Sequence, residues 1–161
     1  MTGKEYTMSV IVFSILSLIF LLALQMLQYL LPLNPEKLSN IFWDLAFNTA
    51  YSFNNNTNWQ AYSGGSSLSY LTQMIGFTLQ NFLSAAVGIC VLMVLIRGFI
   101  KTKTKNLGNF GVDLTKSILY ILLPLSIVLA MFLTTQGVVQ SLRPYEVMPG
   151  NSRNNIRKES I

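Results

Sequence analysis

The most constraining feature of this sequence is an uncharged run from Leu45 to Ile96 that contains one strongly polar segment, Ser52 to Gln60. The residues on both sides of this segment are apolar enough to lie in a bilayer. Irregular polar backbone is allowed at membrane depth only where it is buried in protein or lines a water-filled cavity, because lipid cannot hydrogen-bond its N–H and C=O groups. The segment is therefore a candidate ion site.

The composition is typical of a membrane protein. Of the 161 residues, 52% are hydrophobic and 11% are charged, whereas an ordinary soluble domain has roughly 25% charged residues. The net charge of +5 does not indicate a nucleic-acid partner, because the basic residues flank apolar runs as loops between spans do. Histidine is absent and Cys90 is the single cysteine, most simply a small packed hydrophobe. We expect a lipid bilayer around the chain and no covalently bound cofactor.

Three apolar runs exceed the roughly 20 residues that a transmembrane helix needs. They are Met8 to Leu31, Leu68 to Phe99 and Leu114 to Leu133. The first is followed by Pro32 and Pro35, which cannot continue a helix, and Pro124 predicts a kink in the third. The second begins with polar residues that include Thr78, Gln80 and Asn81, which predicts that its first half lines a wet cavity.

A shorter helix is predicted from Ser39 to Phe53, with Ser39 or Asn40 as the N-cap. It is too short to span, so we interpret it as a re-entrant half-helix. After the polar segment, Gly64-Gly65 predicts a flexible turn, and Ser66 or Ser67 is the expected cap of the next helix.

Charge bias supports the re-entrant interpretation. The basic loop from Arg97 to Lys105 is predicted to be cytoplasmic, and Lys4 gives the N-terminus a weaker bias toward the same side. A half-helix that crossed fully would put these two regions on opposite sides of the membrane. A segment that enters and returns leaves both inside, which gives the order helix, pore loop, helix.

The end of such a half-helix favours a cation, because its last carbonyls are unpaired and carry the negative end of the helix dipole. Beyond it, the carbonyls of Asn54 to Asn58 and the Thr57 hydroxyl are suited to replace the hydration shell of a monovalent ion. The segment has no carboxylate, so potassium or sodium is favoured over calcium or magnesium. Two alternatives remain: a plain exposed loop, and a glycosylation sequon at Asn55-Asn56-Thr57.

Several stretches resemble a known family. They are LPLNP from Leu31, WDLAFNTAYSFNNNTNWQAYSGGSS from Trp43, and NLGNFGVDLTKSILYILLPLSIVLA from Asn106. All three are similar to the channel-like A subunit of the bacterial Kdp potassium-importing P-type ATPase, over about Lys4 to Val147. The resemblance implies an all-α membrane fold of the potassium-transporter superfamily, with four helix, pore-loop, helix repeats around one selectivity filter.

On that pattern, potassium is bound by the backbone carbonyls of Asn56, Thr57 and Asn58. Support for the filter is expected from Asn54, Asn55, Trp59 and Gln60. The resemblance further implies a multi-pass subunit of the bacterial inner membrane that binds and translocates K+ without catalytic residues of its own. Its implied partners are a catalytic P-type ATPase subunit and accessory membrane subunits of the same complex.

The resemblance also divides the chain, which it identifies as a fragment of a longer subunit. Residues 1–105 correspond to the first repeat, and residues 106–142 to the opening transmembrane helix of a second repeat. Residues 143–161 are expected to be a disordered, atypical tail.

Two other functions stay open at this stage. A small homotetrameric pore-loop cation channel would have the same order of elements, although Asn54 to Gln60 lacks the T-V-G-Y-G-like filter of tetrameric potassium channels. A structural membrane partner without a pore is the third possibility.

Overall fold

The computed structural model describes residues 1–59, 61–100 and 106–138, and within them helices are the only regular secondary structure. The helices are α1 (Gly3–Met26), α2 (Trp43–Asn54), the single turn α3 (Gly64–Ser67), α4 (Thr72–Ile100) and α5 (Phe110–Thr135). Of these, α1, α4 and α5 are long and apolar enough to cross a membrane. The expected all-α membrane fold is therefore confirmed.

Helix α1 begins five residues before the predicted Met8 because Thr2 and Glu5 form a capping box. The Thr2 hydroxyl accepts from the Glu5 amide at 3.4 Å, and a Glu5 carboxylate oxygen accepts from the Thr2 amide at 2.8 Å. These bonds satisfy amides that have no partner inside the helix. At the other end, α1 stops at Met26 and continues as a 3₁₀ turn, Gln28–Leu30, which accounts for the longer prediction.

Helix α2 begins at Trp43, four residues later than predicted, and the Ser39 carbonyl and the Asn40 side chain are bonded to residues outside it. The Ser39 carbonyl accepts from the Gln28 side chain, and Asn40 Oδ1 accepts from the Tyr29 amide at 2.9 Å. The residue at the N-cap is Phe42, whose side chain forms no capping bond. At 12 residues, α2 is about 18 Å long, well short of the roughly 30 Å hydrocarbon core of a bilayer.

The starts of α4 and α5 also differ from the predictions. Gly64-Gly65, expected to be a flexible turn, forms the first residues of α3. Ser69, not Ser66 or Ser67, caps α4, because its hydroxyl accepts from the Thr72 amide at 3.3 Å. Helix α5 continues through Pro124. This proline lies two residues after the end of a π-helical segment, Ser117–Leu122.

Helix α2 packs against both α1 and α4 through an apolar cluster near its C-terminal end. Leu21, Ala50 and Phe53 are buried there, and the Phe53 ring stacks on the Phe77 ring with centroids 4.2 Å apart. A short helix that carries a polar C-terminal end is thereby held against two membrane-length helices.

Gln25 of α1 connects that helix to α2 and to the loop beyond the polar segment. Its side chain is fully buried, and its amide nitrogen donates to the Ala46 carbonyl at 3.2 Å. Its amide oxygen accepts from the Tyr62 hydroxyl at 2.7 Å. Burial raises the pKa of the Tyr62 phenol above its ordinary value, so Tyr62 stays a neutral donor.

A second apolar cluster lies at the other end of the bundle and joins α1, α4 and α5. Its buried members are Tyr6, Cys90 and Phe110, and the Tyr6 and Phe110 rings meet edge to face with centroids 5.6 Å apart. The fully buried position of Cys90 agrees with its expected role as a small packed side chain.

Candidate ion site

The polar segment leaves α2 through two residues in left-handed backbone conformation. Helix α2 ends at Asn54, and φ is 58° at Asn56 and 56° at Asn58. Asparagine is enriched at such angles because its short polar side chain tolerates them better than most L-residues do. The asparagine-rich composition therefore permits a sharp, irregular turn directly after the helix.

Ser52 organises this turn from the last part of α2. Its carbonyl accepts from the Thr57 amide at 3.0 Å and, more weakly, from the Asn58 amide at 3.5 Å. Its hydroxyl oxygen accepts from the Trp59 amide at 2.7 Å. Three successive amides thus point at one residue, which is itself fully buried.

The same bonds determine the direction of three carbonyls. In a planar trans peptide, the C=O of one residue is antiparallel to the N–H of the next. Because the amides of Thr57, Asn58 and Trp59 point toward Ser52, the carbonyls of Asn56, Thr57 and Asn58 point away from it. These three residues are exposed. The turn therefore presents consecutive carbonyl oxygens on its outer side.

The Thr57 hydroxyl lies on the opposite side from these carbonyls. Its oxygen donates to the Ser52 carbonyl at 3.0 Å and lies 3.2 Å from the Ser52 hydroxyl oxygen. The sequence suggested this hydroxyl as a further oxygen around an ion, whereas the geometry engages it with α2.

Helix α4 holds the start of the turn through two polar side chains. Gln80 Nε2 donates to Asn54 Oδ1 at 3.2 Å, and Ser84 Oγ donates to Asn56 Oδ1 at 3.3 Å. Residues four apart lie on one face of a helix. Gln80 Oε1 in turn accepts from Ser17 of α1 at 2.6 Å. Three helices are thereby connected at the point where α2 ends.

The structure brings most of the predicted site residues together. Asn54 to Asn58 form the end of α2 and the turn, and Trp59 follows with an exposed side chain. Asn55 Nδ2 donates back to the Tyr51 carbonyl at 3.0 Å. Gln60 lies outside the described residues.

Sequence reasoning missed the residues that hold this turn. Gln80 was expected to line a wet cavity, but its side chain is buried and bonded, whereas Thr78 and Asn81 are exposed. The sequence did contain a signal for this role. Gln80 and Ser84 are two polar residues one helical turn apart in an apolar run.

The family described as "Potassium-transporting ATPase A subunit" matches residues 1–158 of this chain. The chain belongs to that family. The match continues past Val147, where the resemblance was expected to end, so residues 148–158 fall within it.

Relatives in this family are similar over most of the chain. One from Clostridium botulinum (strain Eklund 17B / Type B) is 61% identical over 148 residues, which are 92% of this chain and 26% of the relative. One from Clostridium perfringens is 60% identical over 146 residues, 91% of this chain and 25% of the relative. One from Listeria monocytogenes serotype 4a is 57% identical over 148 residues, with the same coverage as the first. All three are named "Potassium-transporting ATPase potassium-binding subunit". The chain therefore spans about a quarter of the length of these relatives.

Gln80→Met is expected to lower the free energy of unfolding in detergent by about 1–2 kcal/mol, because it leaves Asn54 and Ser17 without their shared partner at nearly unchanged side-chain volume. Thermal and denaturant unfolding of the purified chain would measure the change. Asn81→Met is the matched control, since the Asn81 side chain is exposed on the next position of the same helix. Equal losses in the two variants would contradict the role given to Gln80.

Proposed function

We propose that this chain contributes a potassium-binding pore loop to the membrane subunit of an ATP-driven potassium importer. The observation that carries the proposal is the common direction of three consecutive carbonyls, those of Asn56, Thr57 and Asn58, set by the amides bonded to Ser52. The names of the relatives supply the ion, since they are called potassium-binding subunits.

The chemistry of this turn suits a monovalent cation. Carbonyl dipoles replace the hydration shell of K+ without adding a full negative charge. The C-terminal end of α2 lies beside the turn and adds the negative end of its dipole. Because the Thr57 hydroxyl is engaged with Ser52, the ligands in this proposal are the carbonyls alone.

The proposed position in the membrane follows from helix lengths. Helix α2 is too short to span and packs on α1 and α4, which are long enough. A helix that enters the membrane, ends there and returns as a turn agrees with these lengths. In this arrangement residues 1–105 form one helix, pore-loop, helix repeat, and residues 106–142 carry the opening helix of the next. Residues 143–161, expected to be a disordered tail, lie outside the described residues.

The residues around the carbonyls would shape the two ends of the ion path. Asn54 and Asn55 lie at the end of α2 and would face the inner side of the filter. Trp59 and Gln60 follow the carbonyls and would support the outer mouth. A single loop supplies only part of an ion's ligand shell, so three further loops of the longer subunit would complete it.

The proposed subunit is non-catalytic. It would act with a catalytic P-type ATPase subunit and accessory membrane subunits in the bacterial inner membrane, as a multi-pass protein that moves K+. Hydrolysis of ATP would take place on the catalytic partner subunit. This chain would bind the ion whose transport the hydrolysis drives.

A pair of substitutions at Asn58 tests the carbonyl arrangement. Valine strongly disfavours the left-handed backbone found at Asn58, whereas glycine adopts it without strain. We expect Asn58→Val to raise the half-saturating K+ concentration about tenfold or more, since about 1–2 kcal/mol of backbone strain would turn the carbonyl away. Asn58→Gly is expected to retain most of the wild-type affinity.

The measurement requires the longer subunit. The 148 residues of this chain that match the Clostridium botulinum relative would replace the corresponding part of that relative. Potassium-stimulated ATP hydrolysis of the assembled complex would then be recorded. If the valine and glycine variants had the same K+ dependence, the filter assignment would be wrong.

A further inference from the structure

The Ser52 and Thr57 side chains form a closed hydrogen-bonded ring behind the proposed filter. The Thr57 hydroxyl donates to the Ser52 carbonyl at 3.0 Å. The two hydroxyl oxygens are 3.2 Å apart, and the Thr57 proton is already engaged, so the Ser52 hydroxyl is the donor between them. The Ser52 hydroxyl oxygen also accepts from the Trp59 amide at 2.7 Å.

This ring ties the turn to α2 at two separate places. Thr57 carries the second of the three outward carbonyls, and the Trp59 amide belongs to the same peptide group as the third, that of Asn58. Both tethers end on Ser52, a fully buried residue of a helix packed against α1 and α4. The carbonyls therefore cannot move toward the ion path unless one of these bonds breaks.

We propose that the Ser52 and Thr57 hydroxyls are positioning groups that determine ion selectivity without touching the ion. The inference rests on the proposed function, since it assumes that the outward carbonyls bind K+. A smaller ion such as Na+ is bound well only if the carbonyls close around it. The hydroxyl ring resists that closure, so it disfavours Na+ relative to K+.

Removal of either hydroxyl is expected to weaken discrimination more than K+ binding. Thr57→Val keeps the side-chain shape and removes the hydroxyl, and Ser52→Ala removes the other member of the ring. Each variant should lower the ratio of half-saturating Na+ to K+ concentrations about threefold to tenfold, as loss of one or two hydrogen bonds would. The double variant should lower the ratio further than either single change, because Thr57→Val removes the bond to the Ser52 carbonyl and Ser52→Ala removes the bond from the Trp59 amide.

The experiment uses the chimaeric complex described above, with ATP hydrolysis stimulated by K+ or by Na+ as the readout. Thr57→Ser restores the hydroxyl without the methyl group and is expected to recover most of the discrimination lost in Thr57→Val. If the hydroxyls were only structural, their removal would lower the maximal activity together with the yield of the complex. The ratio of half-saturating Na+ to K+ concentrations would then stay unchanged.

The outcomes separate this inference from the function on which it rests. If Asn58→Val has no effect on K+ dependence, the filter assignment fails and the inference fails with it. If Asn58→Val weakens K+ binding while Thr57→Val and Ser52→Ala keep the wild-type ion ratio, only the role of the hydroxyl ring is overturned. A double variant that lowers the ratio no further than Ser52→Ala alone would contradict the role given to the Thr57 hydroxyl.

Discussion

Replacing Arg97 by methionine is expected to lower the free energy of unfolding by about 3 kcal/mol, because it leaves the Asp113 carboxylate in a largely buried position without its charged partner. Arg97 Nη1 lies 2.5 Å from Asp113 Oδ2, and Nη2 lies 2.9 Å from Oδ1. A bidentate arginine–carboxylate pair of this kind is among the strongest contacts that side chains form. The Asp113 side chain is only 10% exposed.

The surroundings of this ion pair explain why its loss should be large. The Tyr6 hydroxyl lies 3.2 Å from Asp113 Oδ2, which connects α1 to the pair formed by α4 and α5. Gly108 has a φ of 128° and lies next to the Arg97 guanidinium. A Cβ added at this glycine would be 2.4 Å from Arg97 Nη1. Three membrane-length helices therefore meet at one charged contact.

Unfolding of the purified chain in detergent or bicelles would measure the effect of Arg97→Met. Lys4→Met is the control, because Lys4 is an exposed cation near the same end of the bundle. The double variant Arg97→Met with Asp113→Leu should recover part of the loss, since it removes both charges together. A cost of Arg97→Met no greater than that of Lys4→Met would contradict the importance of the pair.

Gln28→Leu is expected to lower the free energy of unfolding by about 3 kcal/mol, because it leaves three backbone groups without a partner. The Gln28 amide nitrogen donates to the carbonyls of Ser39 and Ser67, the latter at 2.9 Å, and its oxygen accepts from the Ser69 amide at 3.2 Å. Gln28 and Ser69 are both buried, so water has little access to the bond between them, and the Ser39 and Ser67 bonds are partly buried. The side chain joins the chain before α2 to the chain before α4.

Two measurements would test this role of Gln28. Unfolding should show the loss of stability, and hydrogen exchange of the Ser69 amide should become faster while exchange in the middle of α1 stays slow. Gln136→Leu is the control, because Gln136 is an exposed glutamine at the end of α5. Unchanged exchange at Ser69 would show that Gln28 does not hold these loops.

Local sequence was sufficient for the four longer helices, but not for the single turn α3 or the 3₁₀ turn after α1. The three apolar runs became α1, α4 and α5, and the short run before the asparagines became α2, because chain length, hydrophobicity and the prolines at 32 and 35 are local properties. The left-handed turn was equally accessible, since a run of asparagines permits the angles found at Asn56 and Asn58.

The start of α2 depended on contacts with residues outside that helix. Ser39 and Asn40 are good caps by composition, yet Gln28 and Tyr29 bind them, so α2 begins at Trp43. A capping propensity is worth about 1 kcal/mol, and a buried amide without a partner costs up to about 3 kcal/mol. The bond that satisfies the buried Gln28 side chain therefore outweighs a cap at Ser39.

For the candidate site, the sequence by itself determined which residues form the turn, and the tertiary structure decided which way its carbonyls point. Composition places asparagines, a threonine and a tryptophan after α2, and it permits many backbone paths there. One path is selected because Ser52 is buried against neighbouring helices and accepts three successive amides. The direction of a peptide group depends on what its N–H meets in space. Ser52 is near in the sequence, but Gln80 and Ser84, which hold Asn54 and Asn56 beside it, reach the turn only once α2 and α4 have packed.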